Sequence, residues 1–161
     1  MTPADSEGAR RTARRAGPAS VEQMTVADDV GRALGLDLGL RQRLEQALGV
    51  LERRLGVTRA VIYALEPGTR QLEVVAWNGL SAMHFRPRFG SGVVGRAAHS
   101  QQRIVVPEVR LEPMALSELT NPEDWKDEGW SQVAVPLLVG KANPLRSIGP
   151  LRGVLSCYAR E

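Results

Sequence analysis

The chain has 161 residues, the size of one ordinary domain with room for a short tail. Hydrophobic residues make up 43% of it, charged residues 24% and aromatics only 4%, so a core must be built from Leu, Val and Ala rather than from rings. The formal net charge of +3 is too small to point to direct nucleic-acid binding, and its excess is carried mainly by arginine, as high-GC bacterial coding alone would produce.

No apolar run approaches the ~20 residues of a membrane helix, and the N-terminus lacks the apolar stretch of a secretory signal. The cytoplasm is the expected compartment, and no membrane partner is expected. The single cysteine, Cys157, excludes an intrachain disulfide and a Cys-rich zinc site. The two histidines, His84 and His99, have no H-x-x-x-H spacing and no acidic cluster beside them, so no metal site and no cofactor are expected.

In chain order, residues 1–20 combine Arg, Ala, Gly, Pro and Ser with almost no large apolar side chains, the composition of a disordered tail. Its doublets Arg10-Arg11 and Arg14-Arg15 read as solvated charge before they read as a binding element. Over 21–36, the spacing of Val21, Met24, Val26, Val30, Ala33 and Leu34 predicts a helix, with Gly35 as its stop. A second helix is predicted over 40–55, where Leu40, Leu44, Leu48, Leu51 and Leu55 form one apolar stripe and Gly56 ends it. That stripe must bury against the domain's own sheet or against the equivalent helix of a second copy.

Residues 59–65 and 71–77 have strand composition and flank E-P-G-T-R, so they predict an antiparallel hairpin. A glycine-rich loop from Gly90 then leads into a short helix ending near His99, and a strand follows over 103–109, with Pro107 marking a strand end or an edge. Residues 111–130 are polar and acidic and predict the longest loop, with room for one helical turn. Strands over 132–139 and 151–158, joined by the loop 140–150, close the chain. The order defines one α+β domain over 21–161, an antiparallel sheet flanked by helices with the N-terminal pair packed on one face.

Three stretches together resemble a GAF domain over roughly residues 40–159: V-A-W-N-G-L-S from Val75, F-G-S-G-V-V-G-R-A-A from Phe89 followed by R-I-V-V-P-E-V from Arg103, and Q-V-A-V-P-L-L-V from Gln132 with R-G-V-L-S from Arg152. The glycine-rich turn and the V-V-P strand are most similar to the N-terminal sensor domain of nitrogen-fixation transcriptional activators. Unlike those proteins, the sequence carries no G-x-x-x-x-G-K-[ST] phosphate loop. Gly90, Gly92 and Gly95 superficially suggest a nucleotide fingerprint. They are not set in a βαβ unit with an acidic residue some twenty positions on, so they read as a turn flooring a GAF pocket.

The resemblance implies a ligand cavity between one sheet face and the short helix and loops above it. Carried onto this sequence, its lining would be Trp77, His84, Phe85, Val94, Met114 and Trp130, with Arg86, Arg88 or Arg96 as donors to an anionic group. Plain core packing for Trp77, Val94 and Trp130, and plain solvation for the arginines, are the competing readings. A 2-oxo acid held by an arginine fork, or a nucleotide, is the implied ligand.

Enzymatic relatives are not matched. Free methionine sulfoxide reductases need several cysteines, bilin carriers a cysteine beside a histidine, and no Ser-His-Asp set can be assembled. A non-enzymatic regulatory domain remains, sensing a small molecule and acting on a protein partner in signal transduction or transcriptional control. The alternative is a ligand-free dimerisation module of the same fold, and a homodimer is compatible with both.

Overall fold

The computed structural model describes residues 18–80, 86–116, 125, 129–139 and 151–160. The chain runs α1 (Pro18–Leu34), α2 (Leu40–Leu55), β1 (Arg59–Leu65), β2 (Leu72–Asn78), α3 (Gly92–Ser100), β3 (Ile104–Val106), a 3-10 turn (Val109–Leu111), α4 (Pro113–Leu116), β4 (Trp130–Leu138) and β5 (Leu151–Arg160). The five strands form one sheet in the order β2-β1-β5-β4-β3, each neighbouring pair antiparallel. The expected α+β architecture is the one observed.

Helix α1 opens at Pro18, ahead of the expected Val21, so the N-terminal segment expected to be unstructured to residue 20 gives way to helix earlier. Proline suits a first helical turn because the N–H it lacks would have no partner there. The remainder of that segment, with both arginine doublets, lies outside the described residues. Of the apolar positions in α1, Val26 and Ala33 are buried and Val30 packs with Ala33, Ala47 and Val50 between the two helices. Val21 and Met24 stay exposed. Asp29 ties the pair together, accepting from Arg32 of its own helix at 2.8 Å and from Arg54 of α2 at 2.6 Å.

The leucine stripe of α2 divides by position. Leu48 is 1% exposed, and Leu44 and Leu51 pack beside it against Ala60, Ile62, Ala76 and Cys157 of the sheet. The domain's own sheet is therefore the surface that the middle of the stripe covers, while Leu40 and Leu55 run past it, 62% and 53% exposed. Gly56 ends the helix in the left-handed region, φ 67°, donating its N–H to the Glu52 carbonyl at 3.0 Å.

A bulge in β2 lets this edge strand serve both faces. Ile62 pairs with Ala76 but Tyr63 with Val74, so Val75 is the extra residue. Val75 and Ala76 both pack on the α2 side, and Val74 and Trp77 on the other. Strand β3 is shorter than expected: it stops at Val106 before Pro107, and Val109 enters the 3-10 turn instead of the ladder. The helical turn allowed for in the long loop is α4. Strands β4 and β5 extend beyond their expected ends because Trp130 and Arg160 pair with each other. Pro136 lies within β4, past the residues that β3 pairs with, so the sheet loses no bond on that side.

Candidate functional site

The sheet face opposite α2 carries α3. Helix α3 buries Val93, Val94, Ala97 and Ala98 against Val61, Tyr63, Ala134, Val154 and Tyr158. Its approach is set by the glycine motif. Gly90 and Gly92 adopt φ 83° and 66°, the Gly90 N–H donates to the Gly95 carbonyl at 2.8 Å, and the Ser91 N–H donates to the Arg88 carbonyl at 3.0 Å. A Cβ on Gly95 would run into the Arg88 carbonyl oxygen. The three glycines thus fold a turn and admit close backbone packing. Two of the amides there are already committed to the protein's own carbonyls.

Register fixes what this inner face presents. Val106, Gln132, Tyr158 and Arg59 stand side by side across β3, β4, β5 and β1. The next row is Ile104, Ala134, Ser156, Val61 and Trp77. Gln132, 1% exposed, donates its Nε2 hydrogens to Ser156 Oγ at 3.0 Å and to Tyr158 Oη at 3.1 Å. Its Oε1 is buried with no hydrogen-bond partner. Trp125 lies against Tyr158, centroids 4.5 Å apart, and edge-on to Trp130 at 5.3 Å. The Arg59 guanidinium covers both indoles, 4.7 Å from the Trp125 centroid and 4.3 Å from that of Trp130.

The expected site residues fall into separate places. Val94 and Trp130 share the inner-face cluster, with Trp77 packed against it and the Arg41 guanidinium 4.6 Å over the Trp77 ring. Arg86 and Arg88 border an open cleft of about 510 Å³ with Thr69, Arg70, Gln71, Pro87 and Phe89, and Arg86 is paired with Glu73 at 3.1 Å. Arg96 lines a second cleft of about 410 Å³ with His99 and Arg103, and its Nη1 lies 3.3 Å from Met114 Sδ. Of these two clefts, Arg86 and Arg88 border the first and Arg96 the second. His84 and Phe85 lie outside the described residues. Gln132, Ser156, Tyr158 and Trp125 are further residues of this face that the sequence did not single out. Their one local signal was a polar residue on the inward phase of an otherwise apolar strand, at Gln132 and again at Ser156.

Cys157 points the other way, into the α2 layer. Burial pushes its thiol up to about 11 from its ordinary 9.0. Among the described residues no group of His, Cys, Asp and Glu could hold a metal ion, and no helix is long and apolar enough to cross a membrane.

An antiparallel sheet in the order β2-β1-β5-β4-β3, with α2 backed by α1 on one face and a glycine-led helix on the other, defines the GAF fold. The crystal structure of the A. aeolicus nlh2 GAF domain in an inactive state superposes with a TM-score of 0.72 at 21% identity, covering 88% of this chain and 81% of that one. Free methionine-R-sulfoxide reductase from Neisseria meningitidis, in complex with its substrate, shares the fold with a TM-score of 0.63 at 20% identity, over 90% of this chain and 77% of that one. In sequence the chain is homologous to the Nif-specific regulatory protein of Azospirillum lipoferum, 33% identical over 128 residues. The match covers 78% of this chain and 20% of the relative, so the chain spans about one fifth of the length of the curated relatives it matches. No family model matches the chain.

Proposed function

We propose that this GAF domain is a sensory element that binds a small molecule and alters the activity of a protein partner in signal transduction or transcriptional control. The observation that carries the reading is the homology to Nif-specific regulators over most of the chain. The inner face supports it, because the face on which α3 and the aromatic residues pack also holds Gln132, whose buried Oε1 has no hydrogen-bond partner. A 2-oxo acid and a nucleotide are the ligand classes of this proposal, with a ligand shifting the balance between two conformations of the domain.

The non-enzymatic reading rests on the thiol. Cys157 is the only cysteine, it is buried in the α2 layer, and its raised pKa keeps it protonated at neutral pH. A thiol in that state is a poor nucleophile, and one thiol cannot complete a dithiol cycle.

A thermal-shift screen of the purified chain against 2-oxo acids, nucleotides, cyclic nucleotides, amino acids and tetrapyrroles tests the sensing reading. A ligand at a hundred times its Kd adds about 2.7 kcal/mol of stability. A dose-dependent rise that disappears in Trp77→Ala or Arg88→Ala supports it, and no rise with any compound contradicts it. A second reading, a ligand-free dimerisation module, is favoured by the apolar residues that α1 and α2 leave exposed: Val21, Met24, Leu40 and Leu55. A stable dimer by light scattering, dispersed by Leu40→Glu and Leu55→Glu, with no shift in the screen, selects that reading.

A further inference from the structure

We propose that Gln132, Ser156 and Tyr158 form the recognition floor of the sensing site. We infer that the floor takes a neutral, planar group presenting an N–H beside a C=O, as in a lactam, an imide or a ureide. The inference rests on the sensing function proposed above and, of the ligand classes named there, favours the base of a nucleotide over a 2-oxo acid.

One buried atom on the inner face is orphaned. Gln132 is 1% exposed, both of its amide hydrogens are used on Ser156 and Tyr158, and its Oε1 is buried without a donor. A buried carbonyl oxygen that water has left and no donor has reached is costly, so native structures supply a partner. Exchanging the amide's oxygen and nitrogen does not remove the deficit. The oxygen would then accept from the two hydroxyls, and the NH2 group would be the unmatched end. A ligand edge carrying both a donor and an acceptor answers either arrangement.

The surroundings set the charge and the shape. Among the described residues the buried polar side chains are Gln132 and Ser156, and no charged side chain is buried. A carboxylate or phosphate lodged at this floor would lose its water without gaining a buried counter-charge, whereas an uncharged amide edge would not. Arg59, the cation at the rim, is held over the Trp125 and Trp130 rings. Those indoles pack on the Tyr158 ring, whose hydroxyl is bonded to Gln132, so the polar atoms share this face with the aromatic surfaces that suit a flat heterocycle.

The test uses the full chain as wild type, Gln132→Leu, Gln132→Met and Ser156→Ala. Thermal shift and calorimetric titration are run with uracil and hydantoin as free cyclic amides, uridine and guanosine as nucleosides, and 2-oxoglutarate as the anionic probe. The expected result is saturable binding of at least one neutral probe to the wild type, weakened at least tenfold in Kd by Gln132→Leu and by Ser156→Ala. Gln132→Met provides the same comparison where Gln132→Leu fails to fold. Binding by the free cyclic amides identifies the edge itself as the signal, and binding confined to the nucleosides identifies a nucleoside carrying it. A shift by 2-oxoglutarate alone that persists in the Gln132 variants overturns this assignment and leaves the sensing reading standing. No shift with any of these probes overturns the assignment, and the wider screen then decides the sensing reading separately.

Discussion

Replacing Gly95 by alanine tests whether the glycine motif is a packing device. Alanine should help α3 by itself, since helix propensity favours it over glycine by up to ~1 kcal/mol. Against that, the new Cβ meets the Arg88 carbonyl oxygen, which belongs to backbone and cannot swing aside as a side chain would. Overpacking of this kind costs about 1–3 kcal/mol. The displaced turn also loses the 2.8 Å bond from the Gly90 N–H to the Gly95 carbonyl, worth about 0.5–1.5 kcal/mol net. The balance is a loss of about 1–3 kcal/mol, and at roughly 2–4 °C per kcal/mol for a chain of this size, Tm should fall by about 3–10 °C. Gly31→Ala is the matched control. It makes the same chemical change within α1, where a Cβ meets nothing within 4 Å, and should stabilise by about 0.5–1 kcal/mol. Calorimetry and urea titration of both variants read the two signs directly. A Gly95→Ala protein as stable as the wild type, or two shifts of the same sign, would refute the packing argument.

Three further outcomes follow from the same structure. Leu48→Ala empties the centre of the α2 layer and should cost about 2–5 kcal/mol by urea denaturation, whereas Leu40→Ala, at an exposed position, should stay within about 0.5 kcal/mol. Asp29→Asn removes the carboxylate shared by Arg32 and Arg54, and should lower stability by about 1–2 kcal/mol at low salt and by less at high salt, read from melts at two ionic strengths. Cys157 should resist thiol reagents at pH 8 until denaturant is added. Because its pKa rises from 9.0 to about 11 on folding, the unfolded chain binds fewer protons between those values, so stability falls as pH rises from about 9 to about 11. The fall is at most about 3 kcal/mol from this group, and Cys157→Ala should abolish that part of the slope.

The local elements were legible in the sequence where one physical signal dominated. The leucine repeat and Gly56 fix α2 to Leu40–Leu55, and the β-branched run followed by E-P-G-T-R fixes β1 to Arg59–Leu65, both at the bounds observed. Boundaries drifted where pairing with a distant strand decided them. Trp130 and Arg160 are ladder residues only because they meet each other, and Val109 leaves its strand because Pro107 cannot donate to the ladder. The stripe on α2 could not itself reveal its partner, since a sheet and a second helix demand the same pattern. The observed placement of Leu44, Leu48 and Leu51 on the sheet, with Leu40 and Leu55 beyond it, depends on where β1, β2 and β5 lie.

The candidate site was less legible, for a reason that lies in the register. Gln132 and Ser156 are 24 residues apart in sequence, and nothing in either segment alone sets them 3.0 Å apart. What brings them together is the pairing of Gln132 with Tyr158 and of Ala134 with Ser156, which aims two polar side chains from neighbouring strands at one point on one face. Shifting β4 by a single residue would turn Gln132, and Trp130 with it, toward α2 and bring Val133 to the inner face. Alternation along β5 sorts its chemistry the same way, with Ser156 and Tyr158 on the inner face and Leu155 and Cys157 against α2. The resemblance led instead to the arginines near the glycine motif, because arginine is the residue type that suits a carboxylate. The fold sets Arg86 and Arg88 around one exposed cleft and Arg96 around another, and the polar groups on the otherwise apolar buried face are an amide and hydroxyls. Residue type therefore identified groups able to bind an anion, and strand register identified Gln132 as an inner-face group whose buried oxygen lacks a partner.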